Sequence, residues 1–210
     1  MNLPTAGTFL IYGGSFDPPH LAHVRLPELA RQAIGAEVLG YVPAARSPLK
    51  AHPHGAEVSH RLAMLRLALA NAPHSVILAD AIDHAKADRP SYTIDTLQRL
   101  RGRIGGSVKM RLLIGADQLQ DFDRWHQPQR LIELAQPLVI LRGADRHELL
   151  ASLPTGFDAD LWRERLLDLP MMDISSTLIR RKVARGESIT DLVPRAVAQY
   201  IHEHRLYRAD

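Results

Sequence analysis

Cysteine is missing from all 210 residues, which excludes disulfides, thiolate nucleophiles and cysteine-based zinc sites. Aromatic residues are scarce, at 5%, and no run of five or more Lys or Arg occurs. A few phosphate-binding basic residues on a mixed surface are therefore expected, rather than a nucleic-acid interface. No apolar run approaches the length of a membrane span, so no membrane partner is expected. Residues 1–7 carry neither a basic segment nor an apolar stretch, so no signal peptide is expected and the cytoplasm is the expected compartment. Internal repeats, low-complexity segments and linkers are also absent, which argues for a single domain over 1–210. Apolar residues at 46% and charged residues at 23% are ordinary for a soluble globular chain, and the net charge is only +3.

The most informative stretch runs from Thr8 to His23. Phe9-Leu10-Ile11-Tyr12 reads as a short buried strand. Gly13-Gly14 ends it, because paired glycines permit backbone approaches that a Cβ would block. Asp17-Pro18-Pro19 extends the loop, and helical patterning follows from Val24 to Ile34. Pro27 fits that helix only in its first turn, and Gly35 is its C-terminal stop. His20 and His23 thus fall one turn apart at a helix N-terminus, where free N–H groups and the helix dipole favour an anion. A glycine turn, a helix end and two imidazoles suit a polyphosphate. A zinc site on His20 and His23, with Asp17 as third ligand, is the alternative, and no fourth ligand is evident.

Further strands are expected at Glu37–Val42, Ser75–Ala79, Val108–Ile114, Pro137–Leu141 and Leu166–Met172. Helices are expected at Val58–Asn71, with Leu62, Leu65 and Leu69 on one face, and from Ser91-Tyr92-Thr93 to about Arg103. Either Ser91 or Thr93 would cap the latter. Residues 144–168 read as a helix and an irregular cover, and Pro194 to about His204 as the last helix, with Val197, Tyr200 and Ile201 inward. Alternating strands and helices give an α/β class, a doubly wound Rossmann-like parallel sheet with helices on both faces.

Several side chains fall where such sheets bind ligands. Lys50, in the loop from Pro43 to Glu57, is either a phosphate contact or a solvated lysine. Asp117 follows Gly115 at a strand end, as a ribose contact or an N-cap. Trp125 is a core plug or a stacking platform for a flat ring. Ser175-Ser176-Thr177-x-x-Arg180 puts hydroxyls at a helix start and an arginine about one turn on, a second anion cradle within 173–210. Two cradles in one chain suggest a triphosphate held from both sides.

His20-Leu21-Ala22-His23 resembles the His-x-Gly-His signature of the nucleotidyltransferase superfamily, departing from it at Ala22. Ile174-Ser175-Ser176-Thr177-x-x-Arg180 resembles the carboxyl-terminal motif of the same enzymes. With Gly13-Gly14-Ser15-Phe16-Asp17-Pro18, Ser91-Tyr92-Thr93, Ile114-Gly115-Ala116-Asp117, Trp125 and Leu206-Tyr207, the chain resembles the bacterial nicotinate-nucleotide adenylyltransferase family from residue 8 to residue 207. That resemblance implies transfer of AMP from ATP to nicotinate mononucleotide. His20 and His23 would be catalytic. Gly14, Ser15, Phe16, Gly115, Asp117, Ser176 and Arg180 would bind ATP, and Lys50, Thr93 and Trp125 the mononucleotide. It also implies Mg2+ arriving with ATP, held mainly by its phosphates rather than at a protein metal site, and allows an oligomer. A sister enzyme acting on nicotinamide mononucleotide and a non-catalytic nucleotide-binding regulator are the competing expectations.

Overall fold

A computed structural model of the chain describes residues 3–45, 55–79, 82, 92–141, 143–154 and 156–208. Its strands are β1 (Thr8–Gly14), β2 (Val38–Pro43), β3 (Ser75–Ile77), β4 (Lys109–Gly115), β5 (Leu138–Ile140) and β6 (Leu166–Leu167). They form one sheet in the order β3-β2-β1-β4-β5-β6, with every pairing parallel. The chain moves outward from β1 to β3, then returns to β1's other side as β4. The direction of winding reverses between β1 and β4, which opens a crevice at their carboxyl ends.

Burial on both faces explains why β1 reads as an unbroken apolar run. Phe9 and Ile11 face one cluster, with Leu112 and Ile114 of β4 and Leu97 and Leu100 of a covering helix. Leu10 and Tyr12 face the other, with Leu26 and Ala30. The helices are α1 (Leu21–Ala33), α2 (Val58–Ala68), α3 (Thr93–Ile104), α4 (Ala116–Gln120) and α5 (Pro128–Ala135). They continue as α6 (Arg146–Ala151), α7 (Ala159–Arg163), α8 (Ser176–Ala184) and α9 (Arg195–Glu203). A third cluster joins Met64 of α2 to Ile179 of α8 and Val197 and Ile201 of α9. Through it the carboxyl-terminal helices reach the mouth of the sheet.

Several elements differ from the pattern reading. Helix α1 begins at Leu21 rather than Val24, which puts Pro27 inside the helix instead of in its first turn. The buried residues of α2 are Arg61, Met64, Leu65 and Ala68. Of the expected face, Leu65 is buried, Leu69 is half-buried against the same cluster and Leu62 is half-buried, while Arg61 joins the inward side. Strand β6 stops at Leu167, well short of Met172. Helix α3 has Tyr92 as its N-cap with no side-chain cap bond, so Thr93 is its first residue rather than its cap, and Ser91 lies outside the described residues.

Residues 144–168, the least legible segment, supply α6, α7 and a core plug. Trp162 is fully buried, with its ring against Phe122 at 5.6 Å and Phe157 at 6.0 Å. Trp162→Ala is expected to cost about 3–5 kcal/mol, the range for emptying a buried aromatic site. Urea unfolding checks this, and a loss below about 1 kcal/mol would mean that the segment is a cover rather than core.

Candidate functional site

The β1–α1 connection is shaped by one left-handed residue. Phe16 has φ of +49° yet is buried, with its ring turned back under the strand end. A Cβ at Gly14 would lie 3.0 Å from that ring, so glycine makes the fold-back possible. The Phe16 ring meets His23 edge-on at 5.1 Å, and His23 stacks on His20 at 3.6 Å with 20° between planes. His20 is buried and His23 half-buried. The start of α1 is not wholly open to a ligand, because the Leu21 N–H donates to the Leu192 carbonyl at 2.9 Å.

Asp17 is the knot of the loop. Its Oδ1 accepts from the Ala56 N–H at 3.0 Å and from the Tyr207 hydroxyl at 2.6 Å. Its main-chain carbonyl accepts from Arg180 Nη1 at 2.7 Å, and the same nitrogen lies 4.0 Å from Oδ2. A Cβ at Gly55 would come within 2.6 Å of Oδ2, so a glycine is needed there for the approach. Burial beside this carboxylate raises the Tyr207 phenol well above its ordinary range, so it stays a donor. Ser176 Oγ donates to the Pro18 carbonyl at 2.9 Å, while Ser175 caps α8 by accepting from the Leu178 N–H at 3.2 Å. The two cradles read from the sequence are thus bonded directly to each other.

Arg61 was not anticipated. From α2 it donates to the carbonyls of Ser15 at 2.7 Å, Ala44 at 2.8 Å and Ala45 at 3.1 Å, tying the ends of β1 and β2 together. Burial pulls its pKa down and the Asp17 charge opposes this. Its signal in the sequence was spacing, since it precedes Met64 and Leu65 on one helix face. Tyr207 was marked only by the family resemblance, and nothing in its neighbourhood signalled its bond to Asp17.

On β4's side, Gly115 is the N-cap of α4, so Asp117 is an exposed first-turn residue and not the cap. A Cβ at Gly115 would lie 2.4 Å from Asp117 Oδ1, so glycine lets this carboxylate fold over the strand end. Gln118 Oε1 accepts from the Gly115 N–H at 3.0 Å.

Two cavities flank these strand ends. A polar one of about 560 Å³ is lined by His20, His23, Arg61, Ser176 and Arg180. A more apolar one of about 480 Å³ is lined by Thr93, Leu97, Leu112, Trp125 and His126. They share Gly13, Gly14, Ser15, Ala44, Asp117 and Gln118. Trp125 is half-buried, lines the apolar cavity and rests on Phe122 at 5.2 Å. Phe16 and Gly115 shape the site from behind and are not among the lining residues. Lys50 lies outside the described residues. Among the described residues no group of three or more His, Asp or Glu is placed to hold a metal ion.

A doubly wound parallel sheet with anion donors at its switch point defines a nucleotide-binding α/β protein. A family model described as cytidylyltransferase-like matches residues 11–182. The chain is 37% identical, over 94% of its length and 92% of the relative's, to a Rhodopirellula baltica protein named "Probable nicotinate-nucleotide adenylyltransferase". A protein of the same name from Roseiflexus sp. is 40% identical over 94% of this chain and 96% of its own. The chain therefore belongs to the cytidylyltransferase-like family, in its nicotinate-nucleotide adenylyltransferase branch. Among solved structures it shares the fold of Plasmodium falciparum nicotinic acid mononucleotide adenylyltransferase complexed with NaAD, at a TM-score of 0.72 and 21% identity over 96% of this chain and 97% of that one. The same enzyme complexed with APC gives a TM-score of 0.70 at 21% identity, over 95% and 96%.

If Asp17 is the knot, Tyr207→Phe leaves a buried carboxylate short of a donor and is expected to cost about 1–3 kcal/mol. Denaturant unfolding reads the loss, and wild-type stability in this variant would show the tail contact to be incidental.

Proposed function

We propose that the chain transfers the adenylyl group of ATP to nicotinate mononucleotide, forming nicotinate adenine dinucleotide (deamido-NAD) and pyrophosphate in NAD biosynthesis. The observation that carries this reading is the pair of cavities, one polar and one largely apolar, that meet over Gly13-Gly14-Ser15 and Asp117. Two nucleotides laid end to end would bring their phosphates together at that seam.

ATP would occupy the polar cavity, its ribose near Asp117 and its β- and γ-phosphates toward Ser176 and Arg180. The mononucleotide would occupy the apolar cavity, its ring against Trp125 and close to Thr93, and the family resemblance gives Lys50 a phosphate contact. An oxygen of the mononucleotide's 5′-phosphate forms a bond to the α-phosphorus of ATP. The bond from that phosphorus to the bridging oxygen breaks, and its electron pair leaves on pyrophosphate. The attacking phosphate is already an anion, so no strong general base is required. The work is alignment and neutralisation of developing charge. Stacked His20 and His23 would supply donors at the α-phosphate, where negative charge develops. The main-chain groups of Gly14, Ser15 and Phe16 line or support the path of the phosphates.

Magnesium would travel with ATP. The donor set fits a cation carried by the substrate, because the Asp17 carboxylate is already engaged by Ala56, Tyr207 and Arg180. When bound to the phosphate oxygens, the ion supplies further charge neutralisation there. The cytoplasm is the compartment we infer, from a chain without cysteine and with no helix long and apolar enough to cross a membrane among the described residues.

Pyrophosphate release with ATP and magnesium tests the reading. Release is expected to be fast with nicotinate mononucleotide, slower with the nicotinamide form, and about 10²–10³-fold slower in His23→Ala. Direct transfer also requires inversion at the α-phosphorus. Overall retention would overturn it, and ATP binding without release would leave a regulator.

A further inference from the structure

One carbonyl in the first turn of α1 has an unusual partner. Pro27 lies inside the helix, and proline has no N–H to offer the carbonyl four residues earlier. That carbonyl belongs to His23. A donor arrives from the sheet instead: the Tyr41 hydroxyl donates to the His23 carbonyl oxygen at 3.1 Å. Tyr41 is 1% exposed and sits on β2, in register with Tyr12 of β1. Its ring meets Tyr12 and Phe16, each at 5.9 Å, and Phe16 in turn meets the His23 imidazole at 5.1 Å. A single phenol therefore holds His23 twice, by its backbone directly and by its ring through Phe16.

We propose that Tyr41 is a positioning residue for His23 in adenylyl transfer, its hydroxyl standing in for the main-chain N–H that Pro27 lacks. The inference rests on the reading that His23 acts on the phosphates. Buried carbonyls in folded proteins are almost always paired. Without the hydroxyl, the His23 carbonyl loses the donor that the sheet supplies, and any shift of the first turn of α1 carries both stacked imidazoles with it. Displacements near 1 Å are enough to slow a reaction that depends on alignment. Burial raises the Tyr41 phenol above its ordinary range, which keeps it a donor throughout the working pH range. β2 lies inside the sheet between β1 and β3, so the anchor itself is fixed.

Pro27 supplies the decisive control, because Pro27→Ala puts an N–H back where the helix would donate. Tyr41→Phe, Pro27→Ala and the double variant are compared by pyrophosphate release with ATP and nicotinate mononucleotide. Tyr41→Phe is expected to lower kcat about tenfold with KM for either substrate within about twofold. The double variant is expected to return to within about twofold of Pro27→Ala alone, the main-chain N–H restored by that substitution having replaced the phenol. An unchanged kcat in Tyr41→Phe, a loss that Pro27→Ala does not relieve, or a rise in KM alone would each overturn the proposal. Imidazole nitrogen NMR of His23 in the substrate-free protein gives a second reading. Its signals should move in Tyr41→Phe and return in the double variant, and unmoved signals would refute the positioning whatever the rates. If the wild-type chain released no pyrophosphate, the catalytic reading would fall while this spectroscopic arm still decided whether Tyr41 sets His23.

Discussion

A carboxylate buried in a protein must be met by donors and positive charge, and Asp17 imposes that condition on three distant parts of this chain. The loop after β1 contributes the carboxylate. The segment entering α2 contributes the Ala56 N–H, α8 contributes Arg180 and the carboxyl-terminal tail contributes the Tyr207 hydroxyl. Each partner also belongs to a wall of the polar cavity or is bonded to one. The polar cavity, proposed above to hold the phosphates, is therefore the outer side of a network whose inner side is a protein carboxylate. Arg180 serves both, lining the cavity while it holds Asp17 in place.

That arrangement explains how a site assembled from separate segments can be stiff enough for a reaction that relies on alignment. Helix α8 is stapled to the first loop by two bonds, from Ser176 to the Pro18 carbonyl and from Arg180 to the Asp17 carbonyl. Arg61 does the same for the ends of β1 and β2. Both connections use charged or hydroxyl donors to satisfy main-chain carbonyls that the turning chain would otherwise leave unpaired. The strand ends on the other side of the crevice are packed mainly by apolar contacts, with Trp125 on Phe122. The crevice consequently has one side suited to charge and one suited to a flat ring, a division that follows from which elements cover each strand end.

The sequence made the sheet legible because burial on both faces leaves apolar runs at β1, β4 and β5, and glycines mark the ends of β1 and β4. The histidine pair and the serine cap of α8 were legible for a similar reason, since both are local grammar within a few residues. The misses have a shared physical cause. Arg61 sits on a buried helix face, where a hydropathy pattern counts it as an interruption and passes over it. Tyr207 bonds a residue 190 positions away, and no window along the chain contains both. The start of α1 was misplaced by reading Pro27 as a first-turn residue. The helix instead carries it in its interior, and Tyr41 on a neighbouring strand donates to the His23 carbonyl that Pro27 has no N–H to reach.

Ala22, the departure from the family signature, can be weighed on the same terms. Glycine at such a position would be indispensable if the backbone were left-handed or if a Cβ had nowhere to go. Ala22 is not among the residues with positive φ, and it lies within α1, where alanine is the better helix former. Its side chain is 1% exposed and belongs to the apolar cluster of Leu10, Tyr12 and Leu26. The extra methyl therefore lies in packed core and is not part of the polar cavity's lining. Neither the conformation nor the space of this helix start asks for glycine at residue 22, so the departure gives no physical ground for lost turnover.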